Sequence, residues 1–198
     1  MKVAGGKVQA PEVAVARMED IPAISTFILE AWKVAGPSSW GWAGASDENV
    51  KVLASSRHLA KILTSPKTAI HLARLEGRVV GFAATREMSQ GTAELAGIIV
   101  DERFTGQGVG TSLAKASIAW AADQQFKEIL VKTETYNERA IGFYEANKFV
   151  QTSVVTEDVE GKVYSLVVLR RKLAGRSGRR QVNRKRRRPV VAQPGLRH

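Results

Sequence analysis

Between Ala69 and Val100 the chain runs through three apolar stretches, Ala69 to Leu75, Arg78 to Met88 and Thr92 to Val100, separated by Glu76-Gly77 and by Ser89 with the Gln90-Gly91 turn. Connections this short join antiparallel neighbours, because a parallel crossover needs a dozen or more residues. The middle of the chain is therefore committed to an antiparallel sheet. Both flanks show helical periodicity instead. Ile21, Ile24, Ile28 and Trp32 recur at spacings of three and four after Asp20 and Pro22, which fit an N-cap and a first turn. Val109, Leu113, Ala116 and Trp120 form a similar stripe further on.

The remaining elements follow from the same rules. A strand over Val13–Arg17 precedes the first helix, and Gly36-Pro37 ends that helix. Asp47 is placed to cap a second helix burying Leu59, Ile62 and Leu63, and Pro66 closes it. Beyond the stripe at Val109 come a strand Glu128–Thr133, a helix from about Asn137 to Ala146, and strands Phe149–Glu157 and Val163–Leu169. The expected order is βααβββαβαββ: an α/β protein of the α+β type, with a mixed, mostly antiparallel central sheet flanked by helices. A helix joins the third run to the strand at Glu128, so that one pair should be parallel.

Charge is distributed unevenly. The 198 residues carry 30 Lys and Arg against 19 Asp and Glu, a formal net of +11. Twelve of the basic residues lie from Arg170 onward with no acidic one, leaving 18 basic and 19 acidic residues in positions 1–169. The division expected is an N-terminal extension over 1–12, one domain over 13–170, and a disordered Arg-rich tail over 171–198. The absence of cysteine excludes disulfides, cysteine zinc sites and a thiolate nucleophile. No stretch reaches the ~18 apolar residues of a membrane span, and no signal-peptide core forms near the start, so a soluble cytoplasmic protein is expected.

The chemistry-bearing segment is Val100-Asp101-Glu102-Arg103-Phe104-Thr105-Gly106-Gln107-Gly108-Val109-Gly110-Thr111, between a strand and an amphipathic helix. Alternating glycines let successive backbone N–H groups converge, and the helix start adds its positive dipole end, which suits a phosphate or pyrophosphate. A tight turn without a ligand is the plainer alternative. The dinucleotide fingerprint fails because position 111 is Thr, and the P-loop fails because no lysine follows Gly110.

With those motifs excluded, the chain resembles the GNAT superfamily of acetyl-coenzyme-A-dependent N-acetyltransferases over about residues 13–170. The family's Arg/Gln-x-x-Gly-x-Gly/Ala frame falls on Thr105 to Gly110, and its Asn…Tyr…Gly-Phe helix signature falls on Asn137, Ala140, Tyr144 and Phe149. The resemblance implies acetyl-coenzyme A as acyl donor, no metal, and an amine-bearing acceptor. It implies that Ile98, Ile99 and Val100 offer backbone groups to the pantetheine arm where the strands splay. Gly106, Gln107, Gly108, Val109, Gly110 and Thr111 then cradle the pyrophosphate, Asn137 touches the cofactor, and Tyr144 lies near the sulfur. Thr105 departs from the family's Arg or Gln and removes a long polar side chain from the loop.

Acetyl transfer needs a neutral amine, a donor to the carbonyl oxygen and an acid for the departing thiolate. Without cysteine, direct attack in a ternary complex is favoured over an acyl-cysteine route. A backbone N–H near Ile99 can polarise the carbonyl and Tyr144 can supply the proton. Some family members carry a glutamate five residues before the Asn, where this chain has Lys132. Glu94 matches the strand glutamate that serves as base in the histone-acetylating branch, with a rim salt bridge as its plainer role. Glu134 is the reserve candidate.

Trp32, Trp40 and Trp42 surround the first interhelical loop, where they serve either an acceptor surface or the core; Trp120 reads as core. His58 and His71 lack ligand-spaced partners and read as structural. The basic tail offers contact with RNA, DNA or the ribosome by charge alone. The alternative function is a nucleic-acid- or ribosome-associated protein whose acyltransferase domain is secondary or inactive. The oligomeric state is not legible.

Overall fold

The structure is a computed structural model that describes residues 10–35, 46–159 and 161–174. Its elements, in chain order, are β1 (Glu12–Val15), α1 (Ile21–Ala35), α2 (Asp47–Leu53), α3 (Ser56–Thr64), β2 (Thr68–Leu75), β3 (Arg78–Ser89), β4 (Thr92–Val100), α4 (Val109–Asp123), β5 (Glu128–Glu134), α5 (Glu138–Ala146), β6 (Val150–Val159) and β7 (Lys162–Lys172). The seven strands form one sheet in the order β1-β2-β3-β4-β5-β7-β6. Every pairing is antiparallel except β4 with β5, as the helical crossover requires.

The element bounds depart from expectation in four places. The second helix is broken in two, because Ser55 interrupts it and starts α3 by accepting the N–H of His58 at 3.3 Å. Ser46 does the same for α2, accepting from Asn49 at 3.2 Å, so Asp47 is the first helical residue and not the cap. Its carboxylate instead accepts the indole N–H of Trp32 at 2.7 Å. The last strand reaches Lys172, with Arg171 opposite Ile129 and Lys172 opposite Glu128, so residues 171 and 172 belong to the sheet. At the other end β1 begins at Glu12, inside the expected extension. Trp40, Trp42 and the chain from 175 onward lie outside the described residues.

The sheet separates two cores. One face, under α4 and α5, buries Ala93, Leu95, Val109, Leu113, Ile129 and Val131 among others, with Trp120 packed at its edge. The opposite face, under α1 to α3, buries Ile24, Ile28, Trp32, Leu59, Leu72 and Phe82. Gly81 fixes how closely β3, β4 and α4 approach. A Cβ there would lie 2.9 Å from the carbonyl oxygen of Ile99 and 3.1 Å from Leu113, which leaves no room for any other residue. Among the described residues no helix is long and apolar enough to cross a membrane.

Candidate active site

β4 and β5 begin as neighbours and then part. Only Thr92, Ala93 and Glu94 pair with β5, opposite Glu128, Ile129 and Leu130. On its other edge β4 stays paired with β3 to Val100, with a bulge that leaves Ala96 as an extra residue between Leu95 and Gly97. Between the diverging strands lies a groove of about 1360 Å³ that reaches from α1 and α3 to the glycine loop and α5.

The register decides which peptide groups of β4 face the gap. The N–H of Asp101 donates to the carbonyl of Val80 at 2.9 Å, so Asp101 and Val80 form a hydrogen-bonded pair. Such pairs alternate along an antiparallel ladder, which makes Ile99 and Phe82 the next one. The N–H and C=O of Ile99 are thus turned toward β3. Those of Ile98 and Val100 are turned into the gap, next to no described strand. The N–H groups that face the gap on either side of Ile99 are therefore those of Ile98 and Val100.

At the end of the gap the chain turns through the glycine loop. Gly106 and Gly108 have φ of +78° and +82°, a region open to glycine and costly for other residues. Gly108 is the N-cap of α4, and the first intrahelical bond of that helix runs from Ser112 N–H to the Gly108 carbonyl. The N–H groups of Val109, Gly110 and Thr111 consequently have no intrahelical partner, and Thr105, Gly106, Gly108, Gly110 and Thr111 line the groove. Converging N–H groups at a helix start fit a diphosphate. The side chains of Gln107 and Val109 do other things: Gln107 donates to the Arg103 carbonyl at 2.9 Å, and Val109 is buried core. Arg103, beside the loop, is held by Asp101 at 2.5 Å. That guanidinium keeps the Asp101 carboxyl below the usual carboxylate range.

Asn137 caps α5, its Oδ1 accepting the N–H of Ala140 at 3.0 Å, and it lines the groove. Tyr144 is buried on the same helix and also lines the groove. Burial pushes its phenol up to about 12, with the Glu134 carboxylate adding to the effect. Where the family signature carries Gly before Phe149, Lys148 sits at φ +67° and completes the helix end.

Glu94 and Tyr144 approach the gap from opposite faces. Glu94 alternates with Ala93 and Leu95 and is next to Leu130, so it points away from α5. It is buried, and its Oε2 accepts from Arg86 Nε at 2.8 Å and Nη2 at 2.7 Å. The salt bridge is therefore real, and Glu94 lines the groove as well. Lys132 also lines the groove and is paired with Glu157 of β6. Glu134 is buried, its Oε2 has no hydrogen-bond partner among the described residues, and it is not among the groove residues.

His71 is buried in β2, and burial lowers its pKa to about 4; His58 lies at the groove's α3 end, where burial and Lys61 lower its pKa. Among the described residues no group of three His, Asp or Glu side chains could hold a metal. Sequence reasoning missed Arg86, Glu157 and Phe143, all of which line the groove. Arg86 was recoverable, since it and Glu94 are equally distant from position 90 in the hairpin turn.

A seven-stranded mixed sheet that splays beside a glycine-rich helix start defines an acyltransferase-type fold. The acetyltransferase (GNAT) family model matches residues 30–149, and the chain belongs to that family. An uncharacterized N-acetyltransferase of Mycobacterium tuberculosis is 32% identical over 95 residues, which cover 48% of this chain and 61% of the relative. Streptothricin acetyltransferase A of Bacillus subtilis is 31% identical over 88 residues, covering 44% and 51%. The chain thus spans less than two thirds of the length of these relatives. Among solved structures, an N-acetyltransferase from Staphylococcus aureus superposes with a TM-score of 0.64 at 18% identity, covering 84% of this chain and all of that one. The ribosomal-protein-S18-alanine N-acetyltransferase of Escherichia coli gives 0.61 at 17% identity, covering 84% and 97%.

Proposed function

We propose that the protein is an N-acetyltransferase that moves an acetyl group from acetyl-coenzyme A to a primary amine by direct attack in a ternary complex. The observation that carries this reading is the joining in one groove of two backbone arrays without a strand or intrahelical partner among the described residues: the Ile98 and Val100 peptide groups and the N–H groups at the start of α4. The first suits an amide-bearing arm and the second a diphosphate. Bound acetyl-coenzyme A supplies an acyl carbon activated as a thioester.

The chain's own groups divide the remaining work. Glu94, on the face of α1 to α3, takes a proton from the incoming ammonium. The Ile98 N–H polarises the acyl carbonyl while the C–N bond forms and the C–S bond breaks. Tyr144, on the other face, faces the departing sulfur. Its phenol at about 12 is fully protonated at neutral pH. Complete transfer to a thiolate of ordinary acidity, ~8.5, would be uphill by roughly 5 kcal/mol. Tyr144 therefore donates a hydrogen bond as charge builds on sulfur, and the second proton lost by the amine ends on that sulfur as the thiol. In balance, the ammonium loses two protons, one to sulfur and one through Glu94 to solvent.

Isothermal calorimetry with acetyl-coenzyme A, followed by thiol release across a panel of peptide amines, polyamines and small primary amines, tests the reading. Binding together with amine-dependent thiol release is the expected result, and no binding at saturation would remove it. A second reading, tethering to RNA, DNA or the ribosome, rests on the basic excess after residue 170. Truncation at 174 should abolish salt-sensitive polyanion binding and leave acetyl transfer intact. Unchanged polyanion binding would remove that tether.

A further inference from the structure

The glycine loop offers an anion little besides backbone. From Val100 to Ala114 the only charged side chains are Asp101, Glu102 and Arg103, two anions against one cation. That cation is engaged, since Asp101 accepts from Arg103 Nε at 3.0 Å and from Nη2 at 2.5 Å. Six basic residues line the groove, and four of them are paired: Arg78 with Glu30, Arg86 with Glu94, Arg103 with Asp101 and Lys132 with Glu157. The other two, Lys33 and Arg139, form no ion pair among the described residues. Lys33 has a role in its own helix, because it lies in the last turn of α1, where a cation suits the dipole. Arg139 is placed the other way. It stands in the first turn of α5, two residues after the cap Asn137, where the helix dipole disfavours a cation. Nor does α5 compensate it: three and four positions away lie Thr135, Tyr136, Gly142 and Phe143, none of them acidic.

We infer that Arg139 binds the diphosphate of the donor from the α5 side and supplies the cation that the loop lacks. The inference rests on the function proposed above, in which the N–H groups at the start of α4 hold that diphosphate. The placement comes from α5 itself. Arg139 and Phe143 are four residues apart and so share one face of the helix. Phe143 is the side chain nearest the place a Cβ would take on Gly110, and both Arg139 and Phe143 line the groove together with Asn137 and Ala140. The face of α5 that carries Arg139 is therefore the face turned to the glycine loop. Arg139 is exposed there, with no carboxylate to hold its guanidinium elsewhere. A guanidinium on a diphosphate makes charge-assisted hydrogen bonds, and the same dianion offsets the opposition between Arg139 and the α5 dipole. An arginine that its own helix disfavours gains its partner only when the donor is bound.

The test is calorimetry on the full chain with two ligands, acetyl-coenzyme A and dephospho-coenzyme A, which keeps the diphosphate and lacks the ribose phosphate. Arg139→Gln should weaken both by the same factor, about tenfold. Arg139→Lys, which keeps the charge, should stay within about threefold of the wild type. Lys33→Gln removes an equal charge from the same groove and should leave both affinities nearly unchanged. Urea unfolding without ligand separates binding from folding: Arg139→Gln should match the wild type or slightly exceed it, because the substitution relieves the α5 dipole. Wild-type affinity in Arg139→Gln overturns the inference. So does an equal loss in Lys33→Gln, which would make the effect a general field of the groove. A loss with acetyl-coenzyme A that vanishes with dephospho-coenzyme A moves the contact to the ribose phosphate and overturns the assignment to the diphosphate. A matching fall in ligand-free stability makes Arg139 a residue of the fold and overturns it as well. Failure of the wild type to bind acetyl-coenzyme A removes the function proposed above, and this inference with it, whereas the other outcomes leave that function standing.

Discussion

The two edges of β5 are built differently. Against β7 it pairs along its whole length, Glu128 to Glu134, whereas against β4 it pairs at only three positions. The sequence of β5 does not explain the contrast, since the same seven residues serve both edges. The difference comes from β4, which follows β3 through the bulge at Ala96 and leads away into the glycine loop. One edge holds the fold together, and the other leaves hydrogen-bonding groups for a visitor.

That contrast predicts that changes on the complete side cost stability and changes on the open side cost binding or turnover. The largest effect should come from Leu130→Ala, at a side chain 1% exposed where β4, β5 and β7 meet. Chemical denaturation should show a loss of about 3 kcal/mol, with acetyl-coenzyme A affinity little changed in the fraction that folds. An equal loss of affinity would erase the distinction. Next, Tyr144→Phe and Glu94→Gln should each lower turnover roughly 100-fold, about 2.7 kcal/mol in the barrier, with calorimetric affinity nearly intact. Wild-type rates across a pH series would clear both residues of the assigned roles. Gly108→Val forces a β-branched residue into φ +82° at the α4 cap. Its cost of about 2 kcal/mol should appear as acetyl-coenzyme A affinity weakened some 30-fold.

The smallest effect concerns pH. His71 lies in β2, between β1 and β3 on the fully paired side, and its pKa falls from 6.5 to about 4 on folding. A depressed value stabilises the fold fully above pH 6.5, and that contribution is lost as the pH falls toward 4. Denaturation midpoints should therefore drop more steeply between pH 7 and 4 for the wild type than for His71→Phe. Parallel curves would mean that the imidazole is not desolvated as its burial implies.

What the sequence made legible was whatever depends on neighbours along the chain. The hairpins at Glu76-Gly77 and Gln90-Gly91, the helix stripe from Val109 and the parallel crossover all follow from spacing. The break at Ser55 was hidden because Leu59 and Ile62 continue a periodicity that a one-turn interruption barely disturbs. The bulge was hidden for a related reason: Leu95-Ala96-Gly97 contains no polar residue whose face could expose a shift in alternation. The direction of the Ile99 peptide depends on its register with Phe82, which no local pattern states. Lys132 with Glu157 was beyond reach, since the pair crosses over β7 between strands 25 residues apart.

An open ladder also has a thermodynamic side. The peptide groups of Ile98 and Val100 have no partner on β5, and in the function proposed above the amide-bearing arm of the donor pairs with them. Ligand and fold are linked in consequence, and saturation at 100 times the dissociation constant adds about 2.7 kcal/mol to the free energy of unfolding. The gain is local in origin. Amide exchange at Ile98 and Val100 should slow on ligation, while Ile99 between them, already bonded to β3, keeps its rate until the domain unfolds.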